Sequence, residues 1–458
     1  MKETLKALVS KKWDCDYLEI RVEDTSRLGI QIAGKKIDEL SNNRLFGGAI
    51  RALYKGCWSF VSFNSLDGIE KKVEQAVSQA KTLGNIVGGK SQLAPVKPIV
   101  DDVRVTPITD IRAVPLSKKM ELLQKYNDIM LSASPLIKLT RVAYKDVFTK
   151  LWFATSEGAY IEQEKMDMGC NLIAMANRDG NTQNASASTG SSVDWNKLLG
   201  MEDEAREAAH KAVKLLDCDK VKSGEYMVIL DPHITGTFIH EAFGHLSEGD
   251  NVYENPELAK IMSMGRQFGE KMLNVYDTGL DVGVRGYLKY DDEGVPTEKT
   301  YLIREGKLVG RLHSRETAGK MGERATGNAR AINYKFPPIP RMRNTCIEVG
   351  KTSFNDLIAS VDNGMFCKGV FGGQTNGEMF TFTAAETYEI KKGKLGQMYQ
   401  GSVLQGNVFD TLKNIDMVGS DFHQPDSVGG CGKGGQMPLP TSHGSPSIRI
   451  RKIVISGK

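Results

Sequence analysis

The run HEAFGH at residues 240–245 limits how this chain can fold more than any other stretch. Histidines on a zinc-binding helix usually stand four apart, as in H-E-x-x-H. At about 100° per residue they then differ by roughly 40° and can grip one ion. Here His240 and His245 stand five apart. On a regular helix they would diverge by about 140° and point to different sides. A shared ion therefore requires a broken helix. One repair is a single π-type turn, whose i→i+5 bond absorbs the extra residue. Gly244, directly before His245, weakens the helix locally and eases that distortion. The other repair ends the helix at Phe243 and takes His245 from the following loop.

Glu241 stands where zinc hydrolases carry their general base, the group that takes a proton from the water the ion acidifies. Its plain alternative is a surface carboxylate. A catalytic zinc needs a third protein ligand and one open position. Glu248 and Asp250, in HLSEGD, are near in sequence. Cys431, in VGGCGKGGQMPLP, is the better placed thiolate. Its glycine neighbours let the backbone approach an ion, and Lys433 would help hold the thiolate form. Cys346 and Cys367 sit in apolar, strand-like contexts and read as buried thiols. His423 and His443 are rival ligands without supporting spacing.

At 458 residues the chain is too long for one compact core, and two or three domains are expected. The net charge of +4, with no long basic run, gives no case for nucleic acid. No stretch approaches the roughly 20 apolar residues of a membrane span. MKETLKALVSKKWD lacks the apolar core of a signal peptide. The seven cysteines are scattered, with no C-x-x-C. These features point to a soluble protein of a reducing cytoplasm.

The patterning predicts an α+β fold. Residues 1–95 open with a short helix. DYLEIRVED, LGIQIAGKKIDELSNN and GGAIRALYKGCWSFVSFNS then alternate as strands. Ile69, Val73, Ala76, Val77, Ala80 and Leu83 follow at helical spacing. A Gly- and Pro-containing linker spans 84–103. Residues 104–219 repeat the order: a helix, strands, then the Ala-rich MEDEAREAAHKAVKLL. This is a weak internal repeat with a mixed sheet, and its Ser/Asn/Thr-rich run at 181–192 reads as an edge strand or loop. Residues 221–458 begin with EYMVILDP and the HExxxH helix. Strands then follow, GYLKYDDEGVP among them, with short helices at FNDLIASV and FDTLKNI. They predict a mainly antiparallel barrel or sandwich that carries the chemistry.

Several long blocks extend the hexapeptide. They are HEAFGHLSEGD, residues 290–318 (YDDEGVPTEKTYLIREGKLVGRLHSRETA), TGNAR, YKFPPIPRMRNTCIE, GVFGGQTNGEMFTF and the closing CGKGGQMPLPTSHGSPSIRI. In this order they resemble the TldD/PmbA family, also described as modulators of DNA gyrase, and specifically its TldD branch. The resemblance implies a cytoplasmic zinc metallopeptidase acting on unfolded peptides. It makes His240, His245 and Cys431 the Zn2+ ligands and Glu241 the base. It also implies a metal-free TldE (PmbA) partner in a heterodimer, with a homodimer as the alternative.

Other expectations stay open. A second oxyanion donor is needed, and His313, Tyr334, Arg341 and His443 are candidates. PRMRNTCIEVG could dock an extended substrate by strand pairing. The N-terminal half would serve dimer contact or enclose the cavity. The rival functional reading is a non-catalytic or structural-zinc peptide-binding protein. A structural site would be closed by a fourth ligand such as His443 or His423.

Overall fold

The computed structural model describes residues 1–424 and 429–457. Its first half is built from unusually long strands. Tyr17–Ala33 and Lys36–Tyr54 form one hairpin, and Cys57–Phe63 pairs with the second of them. DYLEIRVED and the following LGIQIA are thus one strand. Nothing in the intervening Asp24, Thr25 and Ser26 breaks it, because all three are paired on both sides. Ile137–Thr155, Tyr160–Arg178 and Asn181–Ser191 form a second meander of the same kind.

The two meanders meet through their first strands, antiparallel from Glu19↔Thr155 to Ala33↔Arg141. Each is followed by a helix, Ile69–Ile86 and Glu202–Lys214. This is the physical form of the weak repeat: one unit used twice, back to back, in a single seven-stranded sheet. Part of the expected linker also joins the sheet. Val100–Val103 pairs parallel with Tyr160–Gln163. The Ser/Asn/Thr-rich run forms the strand Asn181–Ser191.

Strand alternation sorts the residues of Tyr17–Ala33. Leu18, Ile20 and Val22 enter a core with Val73, Ala76 and Ala80 of the helix. Glu19, Arg21 and Glu23 point the other way and are also buried, because the C-terminal half covers that face. The contact is ionic rather than apolar. Arg51 donates to Glu19 (2.6 Å) and to Glu293 (2.8 Å). Lys165 donates to Asp292 (2.7 Å), and Arg285 binds Asp167 through two nitrogens (2.6 and 2.8 Å).

GYLKYDDEGVP, expected as a strand, folds instead as a turn. The Asp291 carboxylate accepts the backbone N–H groups of Glu293 and Val295, which takes them away from any strand ladder. The turn places Asp292 and Glu293 against the cations of the sheet.

Beyond residue 223 five strands close a barrel: Gly224–Leu230, Asn363–Asn376, Met379–Lys391, Ser402–Asn407 and Ile448–Gly457. All neighbours are antiparallel except Gly224–Leu230 with Asn363–Asn376. The short helices Phe354–Ala359 and Val408–Lys413 stand where the sequence places them. A second sheet centres on Val275–Thr278, flanked by Lys299–Arg304 and Asn344–Ile347. Asn344–Ile347 is therefore internal. It pairs with Val275–Thr278, Asn344 bridges Ser442 beyond it, and its residues are no more than 1% exposed. The expected docking role for PRMRNTCIEVG does not hold, since no edge is open to a substrate.

Removing one partner of a buried ion pair costs about 3–5 kcal/mol. Arg51→Met leaves two buried carboxylates facing each other. We expect it to lower the denaturation midpoint, with a far smaller effect from Arg44→Met, whose pair with Asp24 lies at the surface. Equal midpoints for the two variants would contradict the interface described.

Candidate metal centre

The barrel strand Gly224–Leu230 runs directly into the helix Pro232–Ile239. Asp231 caps this helix, accepting the Ile234 N–H at 2.9 Å, and Pro232 occupies its first turn, where no N–H is needed. Phe238 packs edge-on against Phe380 and Phe382, at ring separations of 5.3 and 6.0 Å, and ties the helix to the barrel core. The helix then widens. His240–Gly244 is a π-turn in which the His245 N–H donates to the His240 carbonyl. Of the two repairs, the chain uses the i→i+5 turn. A short 3-10 turn, His245–Ser247, follows.

Gly244 has a role other than the one its low helix propensity suggests. Its φ of −57° and ψ of −52° are ordinary helical values. A Cβ there would stand 2.0 Å from Met342 Sδ. The glycine lets Met342 press against the π-turn.

Cys431 comes from the far end of the chain, in a small hairpin of Cys431–Lys433 with Gln436–Leu439. Arg341 anchors this hairpin by donating to the Cys431 carbonyl at 2.7 Å and to the Gln436 carbonyl at 3.2 Å. The Sγ then lies 3.3 Å from His245 Nε2. The ligand atoms of His240, His245 and Cys431 all lie within 4.8 Å of one another. Among the described residues no fourth His, Cys, Asp or Glu belongs to this group.

The surroundings favour a cation. Burial alone would raise the Cys431 thiol, but the imidazoles of His240 and His245 outweigh it and bring it down to about 5. Lys433, expected to hold the thiolate, is engaged elsewhere. Its ammonium donates to Asp250 (2.6 Å) and lies 2.9 Å from Glu248. Glu248 and Asp250, the carboxylates weighed as third ligands, are thus paired with Lys433 and stand outside the donor group. Glu248 orients a ligand instead, with its Oε2 3.0 Å from His245 Nδ1. A carboxylate on Nδ1 fixes the imidazole so that Nε2 turns its lone pair toward the ion. Burial would raise Glu248, yet His245 and Lys433 hold its carboxyl at about 2. His240 Nδ1 is buried without a hydrogen-bond partner among the described residues. Such a nitrogen is a group that a Lewis acid would satisfy. The donor set therefore fits a metal ion.

Glu241 lies beside the group, its Oε2 3.9 Å from His245 Nε2. It lines a cleft of about 410 Å3 together with His240, Cys431 and His443. The opposite wall belongs to the large sheet: Asn171, Ile173 and Met175 from one strand, Asn184, Ser186 and Ser188 from its neighbour. Sequence reading gave this half no part in the chemistry. The one signal was the alternation of small polar residues in NASAST.

Of the four candidate oxyanion donors only His443 lines the cleft. Its Nε2 meets Thr237 Oγ1 at 3.0 Å, and its Nδ1 has no hydrogen-bond partner among the described residues. Burial, with His240 and His233 nearby, holds it well below the usual histidine range. His313 is engaged by Thr317 and Glu323, and Tyr334 by Asn64. Arg341 holds the Cys431 hairpin. His423 is exposed and bridges Ser445.

Gly244→Ala should force Met342 and the π-turn apart. Overpacking of this kind costs about 1–3 kcal/mol. We expect a lower unfolding midpoint and weaker metal retention, both partly restored by adding Met342→Ala. A fully stable Gly244→Ala protein that keeps its metal would contradict this account of the turn.

Comparison with known proteins agrees in fold and sequence. Profiles of the PmbA/TldA metallopeptidases match in three parts: domain 1 at residues 18–80, the central domain at 109–216 and the C-terminal domain at 223–457. A metalloprotease of Synechocystis is 41% identical over 100% of this chain and 98% of its own length. A metalloprotease of Methanocaldococcus jannaschii is 37% identical over 95% of this chain and 96% of its own. Among solved structures, a proposed modulator of DNA gyrase from Thermotoga maritima superposes with a TM-score of 0.80 at 21% identity, covering 99% of each chain. TldE from Thermococcus kodakarensis does so at 0.78 and 19%, covering 100% of each. Those two share the fold, while the profiles and the closer relatives place this chain in the TldD/PmbA metallopeptidase family.

Proposed function

We propose that the chain is a zinc-dependent peptidase subunit that hydrolyses peptide bonds in unfolded chains in the cytoplasm. One observation carries this reading: two imidazoles and a thiolate converge beside a free-standing glutamate at the wall of an open cleft. His240, His245 and Cys431 would hold the zinc. When bound, the ion supplies Lewis acidity, acidifying a water and polarising the substrate carbonyl. Glu241 takes the proton from the attacking water and delivers it to the leaving amine nitrogen. Glu248 keeps His245 oriented throughout. His443 is the candidate for the second hydrogen bond to the developing oxyanion. If the Thr237 hydroxyl donates to Nε2, the Nδ1–H is left to point at substrate.

Three donors rather than four favour a catalytic over a structural site. The cleft wall suits an extended main chain. Ser186, Ser188 and Gly372 present little side chain, so backbone groups stay accessible to a substrate without side-chain selection. In this reading residues 221–458 carry the chemistry and residues 1–219 roof it. A folded domain would not enter. The relation to TldE supports a TldE-type partner subunit, with a second copy of this chain as the alternative.

The purified protein should hold about one zinc per chain, as a three-ligand catalytic site requires. Cys431→Ser should lose most of it. Glu241→Gln should retain zinc and lose a factor of about 10²–10⁴ in cleavage of an unstructured peptide, the usual worth of a general base. Undiminished cleavage by Glu241→Gln would refute the assigned role. Peptide hydrolysis absent from the wild type, alone and with a TldE-type partner, would refute the enzyme reading.

A further inference from the structure

A second cavity of about 410 Å3 opens on the same face of the large sheet as the metal cleft. In the strand Tyr160–Arg178, Asn171, Ile173 and Met175 line the cleft, while Lys165 and Asp167 line this cavity. All five are odd-numbered and so share one face. Between them lies the pair Gly169↔Gly190, where no side chain stands on the sheet. Arg285 crosses there: a Cβ on Gly190 would meet its Cδ at 2.8 Å. From Asp167 to Asn171 the strand advances about 13 Å, at roughly 3.3 Å per residue. An extended peptide lying along this face spans both cavities.

The second cavity has more positive than negative charge to offer. Its four carboxylates are already engaged: Asp167 by Arg285, Asp292 by Lys165, Asp146 by Lys119 and Glu23 by Arg21. Two lining cations have no carboxylate within 4 Å among the described residues. Lys145 makes no hydrogen bond there, and Arg330 donates only to the carbonyls of Met342 (2.6 Å) and Pro440 (2.7 Å). Burial and the neighbouring Arg285 hold the Lys145 ammonium below its usual range. Burial, with Arg343 and Arg341, brings Arg330 down to about 9. Both cations lack a compensating anion. Leu28, Val147, Met437 and Leu439 supply apolar surface beside them.

We infer that this cavity is a subsite for a carboxylate of the bound peptide, held by Lys145 and Arg330 about four residues along the chain from the cleaved bond. The inference rests on the peptide-hydrolase reading for its ligand. The carboxylate is the C-terminus of a short peptide or the side chain of an internal Asp or Glu.

The test is equilibrium binding of fluorescent, otherwise uncharged octapeptides to zinc-loaded Glu241→Gln protein, so that binding is read whether or not the wild type cleaves. Three peptides are compared: a free C-terminal carboxylate, the same peptide amidated, and amidated peptides with one Glu scanned along the sequence. A carboxylate that gains a charged hydrogen bond should bind about tenfold tighter than the neutral amide. Adding Lys145→Gln should bring that ratio close to one, and Lys145→Arg should restore it. If the free C-terminus carries the preference, the subsite reads chain ends; if one Glu position carries it, the subsite reads side chains. Binding of all peptides without a carboxylate preference overturns the subsite and leaves the peptidase reading intact. A preference that survives Lys145→Gln overturns it as well. Failure of every peptide to bind overturns both.

Discussion

One backbone hydrogen bond organises the site: the His245 N–H to the His240 carbonyl, spanning five residues. It turns a spacing that would separate the two imidazoles into one that brings them to a common point, with ring centres 5.3 Å apart. A π-turn is a local departure from the best helical geometry, so the surroundings must hold it. They do so from three sides. Asp231 and Phe238 fix the helix before it, Met342 packs against Gly244 within it, and Ser247 Oγ donates back to the Phe243 carbonyl at 2.8 Å after it. The third donor then needs only to be delivered. Arg341 does this by holding a hairpin from a distant part of the chain.

Much of this was legible in the sequence. The five-residue spacing demanded a broken helix, and glycines around Cys431 marked it as a thiol outside any core. The alternation in the first half gave strands, and the helical spacing of Val73, Ala76 and Ala80 gave the helix over them. What stayed hidden depends on long-range contact. Lys433 looks like a partner for Cys431 because it is two residues away, yet in the fold Glu248 and Asp250 claim it. Glu248 looks like a ligand because it is near the motif, yet it reaches Nδ1 of His245 rather than the ion's side. PRMRNTCIEVG reads as an accessible strand, but accessibility is a property of the neighbours, here Val275–Thr278 and Ser442. YDDEGVP alternates like a strand while its own carboxylate consumes the backbone donors.

The two halves of the molecule are joined by charge. A face carrying Glu19, Arg21, Glu23, Asp167 and Arg51 could not be buried against an apolar surface. It is buried against Asp292, Glu293 and Arg285, which complete it. Such a contact contributes orientation more than stability, because desolvation offsets much of the attraction. Orientation is what the site uses. The sheet must lie at a set height above the metal cleft to leave room for an extended chain and exclude a folded one. The same paired meanders that make the sheet long enough also extend its face beyond the cleft, from Asn171 to Lys165.

The central claim is that His240, His245 and Cys431 hold one ion together. X-ray absorption at the zinc edge, on the zinc-loaded protein and on Cys431→Ser, tests it most directly. The account predicts one sulfur scatterer at about 2.3 Å with nitrogen and oxygen ligands at about 2.0–2.1 Å, and loss of the sulfur shell in the variant. A wild-type spectrum without sulfur, or one whose sulfur shell persists in Cys431→Ser, would contradict it.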